Sequence, residues 1–147
     1  MKIEYITIDA GQRFDAVMPE IPTNSIINKT VTGCGATYAE INAPRHSVII
    51  EPNVPVIEGK MKKHPQILGV FEGVTTEDII DFLNTNYNDG YLKIMTTPES
   101  FPKVRSAMVQ THTDMHGEWF MLFDECERTI QDAGCLLYTS PSPRDMR

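Results

Sequence analysis

What the sequence lacks narrows its class first. It has no apolar run near the ~18 residues that a membrane helix needs. Its first residues, MKIEYITIDAGQRFD, lack the apolar core of a secretory leader. We therefore expect a cytoplasmic protein of a bacterial or phage-infected cell, with no membrane partner. Cysteine is scarce: Cys34, Cys126 and Cys135 are the only three, and none forms a C-x-x-C pair. That excludes zinc-finger spacing and a disulfide framework. Basic residues are few as well, 13 against 20 acidic ones, for a net charge of −7. This excludes a broad nucleic-acid-binding face and leaves a local site open. With 41% hydrophobic and 22% charged residues, the rest is the composition of an ordinary globular chain.

The last thirteen residues stand apart. Cys135–Asp145 reads CLLYTSPSPRD, which is a translation of the transposon-end adapter used in sequencing libraries; Met146 and Arg147 follow it from the adjoining index. We set 135–147 aside as an artefactual, disordered tail. Residues 1–134 are then expected to be one partial domain, cut after about Gly134, of a longer natural protein. Without the tail's two arginines and one aspartate the net charge is −8.

Along 1–134, short β-rich runs alternate with helical ones. KIEYITI (Lys2–Ile8) and SIINKT (Ser25–Thr30) read as strands, with a loop-rich stretch at Asp9–Thr23 between them. SVIIE (Ser47–Glu51) is the continuous β-branched run of a strand buried on both faces. ILGVF (Ile67–Phe71), YLKIM (Tyr91–Met95) and WFMLF (Trp119–Phe123) are further strands. ATYAEIN (Ala36–Asn42), TTEDIIDFLNTN (Thr75–Asn86) and ESFPKVRSAMVQ (Glu99–Gln110) predict helices, and ERTIQDAG (Glu127–Gly134) the start of another. Thr75 or Thr76 can cap the second of these, with acids in its first turn. Pro102 is tolerated in the first turn of the third. Alternation of this kind implies an α/β fold with a mainly parallel sheet.

Two stretches carry chemistry. TVTGCGAT (Thr30–Thr37) lies between an expected strand and an expected helix. Gly33 and Gly35 permit a close backbone approach, and loop N–H groups with a helix N-terminus form an anion cradle. Thr37 has the hydroxyl that such loops place on Mg²⁺. MLFDECER (Met121–Arg128) delivers Asp124 and Glu125 from an apolar strand to the sheet edge. Asp124 suits a Mg²⁺ ligand and Glu125 a base for an attacking water. Alone, each stretch is matched by a bland reading: a plain strand-to-helix turn, and a solvated acidic turn.

In order, four segments resemble the motifs of the first RecA-like domain of a superfamily 2 (DEAD/DExH-type) helicase, over roughly Ser25–Glu127. The family's AxTGSGKT loop is matched by TVTGCGAT, which keeps Thr32, Gly33, Gly35 and Thr37. Its APTRELA turn is matched by IIEPNVPVI (Ile49–Ile57), with Pro52 aligned and Asn53 in the threonine position. Its TPE motif is matched by KIMTTPESF (Lys93–Phe101), and its DExx box by Asp124-Glu125-Cys126-Glu127. The resemblance implies a P-loop NTPase sheet, ATP and Mg²⁺ as cofactors, and single- or double-stranded nucleic acid as partner. It implies nucleotide binding by Thr32, Gly33, Cys34, Gly35, Ala36 and Thr37, metal binding by Thr37 and Asp124, and catalysis by Glu125. Asn53, Thr97 and Ser100 inherit the contact with the nucleic-acid backbone. A second RecA-like domain, carrying an arginine finger, is implied in cis downstream. So is a strand between those of the glycine loop and the DExx box; without it those two strands are expected to close up or leave a gap.

The chain departs from the family at Ala36, where the loop lysine belongs. A charge-assisted hydrogen bond is worth about 1.5–3 kcal/mol, so its loss weakens ATP binding by roughly tenfold to a hundredfold. Lys29 and Lys60 are the cations considered as substitutes, and Gln12 is a candidate for an adenine-reading glutamine by position only. Three readings follow: an ATP-driven helicase or translocase, a degenerate non-hydrolysing RecA-like binding module, and a P-loop ATPase without a nucleic-acid role. His112 and His116 are spaced as a helical metal pair, yet HTDMH lacks the glutamate of HExxH and reads as an exposed polar segment. His46 and His64 have no partner in view. Cys34 and Cys126 read as fillers of the family's serine and box positions.

Overall fold

The computed structural model describes residues 16, 18, 20–23 and 36–124. The expected strands at Lys2–Ile8 and Ser25–Thr30, the loop residues Thr32–Gly35, Gln12, Lys29, Glu125, Cys126, the Glu127–Gly134 helix and the 135–147 tail lie outside the described residues. So does the expected defect between the glycine-loop strand and the DExx strand.

The chain divides into two compact units, Met1–Ala43 with Arg147, and Pro44–Met146. In the first, the described helix is α1, Ala36–Asn42, where the sequence places it. Asn42 Nδ2 donates to Tyr38 O at 2.9 Å, and Ala43 N–H donates to Glu40 O at 3.1 Å as the chain leaves the helix.

The second unit is an α/β layer structure. Its strands are β1 (His46–Ile50), β2 (Ile67–Val70), β3 (Lys93–Thr96) and β4 (Trp119–Phe123). Its helices are α2 (Val54–Lys63), α3 (Thr76–Asn86), α4 (Phe101–Gln110) and the short α5 (Met115–Glu118). The sheet order is β2-β3-β1-β4 and every pairing is parallel. Ile49 is level with Met95 and Leu122, and Ile50 with Thr96 and Phe123.

Side-chain alternation splits the core in two. Val48, Ile50, Val70 and Ile94 join Ile79 and Leu83 of α3 and Val104, Ala107 and Met108 of α4 in one buried cluster. Ile49, Met95 and Gly69 point the other way. A Cβ on Gly69 would run into Met61 Sδ and Ile57 of α2, so that face belongs to α2. The path from β1 to β2 crosses the sheet in one direction over the α2 face. The paths from β2 to β3 and from β3 to β4 return over the α3–α4 face. Direction and face change together, as a constant crossover hand requires.

Helix ends follow the local chemistry. Thr75 N-caps α3 in a full capping box: its Oγ1 accepts the Asp78 N–H at 3.2 Å, and Asp78 Oδ2 accepts the Thr75 N–H at 3.0 Å. Those bonds hold the Asp78 carboxyl below the usual carboxylate range. α4 ends in a Schellman arrangement. Thr113 N–H reaches Met108 O at 2.8 Å and His112 N–H reaches Val109 O at 3.2 Å, with His112 at φ 56° in the position glycine usually takes.

Two elements lie where the sequence reading names none. Val54–Lys63, to which no element was assigned, is a helix. Pro55 falls in its first turn, where its missing N–H costs nothing. Before β4, Asp114 accepts the Gly117 N–H at 3.0 Å and caps the short α5, within the exposed polar segment that the sequence predicts. Both His112 and His116 are exposed.

Candidate functional site

Asn53, Thr97, Ser100 and Asp124 all follow the carboxyl ends of strands. Because β3, β1 and β4 are parallel neighbours, their three exit loops share one edge of the sheet, with the Asn53 loop in the middle. In open α/β sheets ligands bind beyond that edge. The ladder runs one residue past each strand. Glu51 N–H donates to Thr96 O at 2.9 Å, and Asp124 N–H to Ile50 O at 2.9 Å. Thr97, Glu51 and Asp124 are therefore level, on the sheet face shared with Met95, Ile49 and Leu122.

Asn53 is half-buried at the N-cap of α2, with extended φ −102° and ψ 109°. Its side chain does not cap the helix. Its N–H and its Nδ2 instead donate to one oxygen, Glu51 Oε1, each at 3.0 Å. Glu51 itself is only 1% exposed. The sequence reading treats it as the end of a strand and misses this role; the local signal is an acid closing an apolar run just before Pro-Asn.

Thr97 and Ser100 are each 5% exposed, so both hydroxyls lie under the surface. The turn winds around one acceptor. Thr97 O takes the N–H groups of Ser100 and Phe101 at 3.2 and 3.1 Å and the Thr96 hydroxyl at 3.0 Å. Glu99 is the exposed side chain of this turn. Asp124 is half-buried at the end of β4.

Of the nucleotide-loop residues, Ala36 and Thr37 open α1, and Thr37 is half-buried. They belong to the first unit and Asp124 to the second. Thr32, Gly33, Cys34, Gly35 and the catalytic candidate Glu125 lie outside the described residues. Lys60 is in the last turn of α2, about 9 Å along the helix axis from Val54 and away from the carboxyl edge. Among the described residues no group of three or more His, Cys, Asp or Glu is placed to hold a metal ion.

A second constellation stands at the opposite, amino edge. His46 stacks on Trp119 with ring centroids 5.1 Å apart, and Tyr91 and Tyr87 lie 5.8 and 6.2 Å from it. His46 Nδ1 accepts the Leu92 N–H at 2.9 Å, pinning the entry of β3 to that of β1. Burial pushes the imidazole below its ordinary pKa, Glu118 opposes that shift and Lys93 reinforces it. Tyr87 donates its hydroxyl to Glu118 Oε2 at 2.9 Å, and this bond to a carboxylate raises the phenol. No sequence signal joins these residues, which are far apart in the chain.

Compared with protein families, curated proteins and solved structures, the chain matches none. What stands on its own geometry is an α/β unit with a parallel sheet and a polar carboxyl edge. Among the described residues no helix is long and apolar enough to cross a membrane.

Proposed function

We propose that the chain is the nucleotide-binding part of an ATP-dependent motor acting on nucleic acid, of the superfamily 2 helicase type. One observation carries the reading: the segments with Asn53, Thr97–Ser100 and Asp124 leave three adjacent parallel strands at one edge. Three motifs resembling those of the family, far apart in sequence, thus converge where an α/β fold binds ligands.

In this reading residues 32–37 cradle the phosphates through backbone N–H groups. The resemblance implies Thr37 and Asp124 as the residues that would hold Mg²⁺, and Glu125 as the base that would orient and deprotonate the attacking water. Bound magnesium–ATP supplies the transferable γ-phosphoryl group and spreads its charge. Asn53 meets the nucleic-acid backbone and adds no sequence preference, beside the Thr97–Ser100 turn, whose two hydroxyls are buried and shape the edge from below. A second RecA-like domain completes the motor in cis.

Ala36 favours a second reading, a degenerate module that binds nucleic acid or a protein partner without turnover. One assay separates the two: ATP hydrolysis by the protein with its downstream sequence, with and without single-stranded oligonucleotide. The motor reading expects stimulated turnover that Glu125→Gln abolishes. Turnover unchanged in Glu125→Gln rejects it, and oligonucleotide binding without turnover selects the degenerate module.

A further inference from the structure

We propose that Glu51 is a positioning residue: its buried carboxylate holds the Asn53 amide at the carboxyl edge in the orientation that meets the nucleic-acid backbone. The proposal rests on the nucleic-acid reading above and adds to it a residue that the motif resemblance does not mark.

Three observations lead to Glu51. The first is burial. A carboxylate taken out of water is costly unless hydrogen bonds replace its hydration. Glu51 is 1% exposed at the end of a strand whose preceding residues are Val48, Ile49 and Ile50, so another β-branched residue would suit the position on packing grounds alone. The second is the use made of the charge. Glu51 Oε1 accepts from both the N–H and the Nδ2 of Asn53, which fixes the backbone entry to α2 and the side-chain rotamer together. A carboxylate facing Nδ2 also settles the amide's orientation, because the reverse would set two oxygens against each other. The third is what Asn53 gives up. Asparagine is a favoured N-cap, yet here the side chain makes no cap bond and turns to Glu51 instead. A residue kept for helix stability would cap; this one is held for its own orientation.

Glu51 is also the place from which such orientation reaches the other loops. Its N–H is bonded to Thr96 O, one residue before Thr97, and Ile50 O takes the Asp124 N–H. The two-residue step Ile50–Glu51 therefore ties together the Asn53 loop, the Thr97 turn and the aspartate of the DExx segment.

The test compares Glu51→Met, which keeps the volume and removes the acceptor, with Glu51→Gln, which keeps an oxygen where Oε1 lies. Fluorescein-labelled oligo(dT) and oligo(U) are titrated by anisotropy into the full chain, alongside Asn53→Ala and the Glu51→Met/Asn53→Ala double variant. Hydrogen exchange at the Asn53 N–H reads the geometry independently of any ligand. Loss of a hydrogen bond to a charged group should weaken binding by about tenfold in Glu51→Met and speed exchange at Asn53, while Glu51→Gln stays near the parent. The double variant should be weakened by less than the product of the two single effects, since both changes remove the Nδ2–Oε1 bond while Asn53→Ala leaves the N–H bond to Glu51 in place. With the downstream domain present, the oligonucleotide concentration for half-maximal ATPase stimulation should rise with kcat unchanged. Parent-like binding by Glu51→Met, or a double variant weakened by the product of the two single effects, overturns the positioning role while leaving the nucleic-acid reading intact. An unmutated chain that binds neither oligonucleotide overturns that reading, and this proposal with it.

Discussion

At the scale of single residues, two substitutions have directions fixed by charge. On the nucleotide-binding reading proposed above, lysine at position 36 supplies the cation that phosphate-binding loops aim at the β- and γ-phosphates. Ala36→Lys should tighten binding of a fluorescent ATP analogue by about tenfold or more; an unchanged Kd would mean that residues 32–37 hold no phosphate. The second concerns His46, which is an acceptor through Nδ1, so protonation would set two donors, Nδ1–H and the Leu92 N–H, against each other. Its pKa is lowered in the fold from the ordinary 6.5. Between the folded and unfolded values the unfolded chain binds more protons, so stability rises with pH in that window. The contribution is whole above pH 6.5 and drains as pH falls through the lowered folded value. Urea denaturation at pH 7 and pH 5 should show a loss that is smaller in His46→Gln, which keeps an acceptor without titrating. Equal losses in both proteins would remove His46 from the account. That Asp124 and Asn53 follow strand ends was legible in the sequence, because apolar strands point to their own ends. His46 was not, because its partners at 87, 91, 92 and 119 are joined to it only by the sheet register.

At the scale of elements, the capping box of α3 and the glycine of α2 give opposite expectations. Thr75→Ala removes the Oγ1 that accepts the Asp78 N–H and should cost about 1 kcal/mol in urea denaturation. Gly59 lies inside α2, where a Cβ would meet nothing within 4 Å. Gly59→Ala should therefore stabilise by roughly 0.5–1 kcal/mol, by lowering the entropy of the unfolded chain and improving helix propensity. A loss at this position would show that the helix does not persist in solution. These two helices also show what sequence reading catches and what it loses. α3 announces itself through a cap, first-turn acids and an apolar face of Ile79, Ile80, Phe82 and Leu83. α2 hides because VPVI looks like strand, and Gly59 and Pro55 look like breakers. It forms because Pro55 falls where no N–H is needed, and because Ile57 and Met61, four residues apart, meet the sheet at Gly69. Packing overrides propensity there, which no local window can report.

At the scale of the whole molecule, the strand order sets a hierarchy of protection. β3 and β1 are laddered on both sides, β3 between β2 and β1, and β1 between β3 and β4. β2 and β4 each have one laddered side among the described residues. In native-state hydrogen exchange, the amides of Val48–Ile50 and Ile94–Thr96 should be slowest, and those of Ile67–Val70 and Trp119–Phe123 faster. β4 adds a second dependence. WFMLF has no charge, proline or glycine to blunt its outer edge, and a free edge of that composition is a template for pairing with another chain. Where that outer edge is left open, its protection should rise with protein concentration, together with the sedimentation coefficient, while that of β1 and β3 stays constant. A longer protein that supplies a strand beside β4 should show high protection there at every concentration. Exchange in β4 as slow as in β1, in a dilute monodisperse monomer of this chain, would mean that the outer edge is already occupied, and the expectation of association would fall.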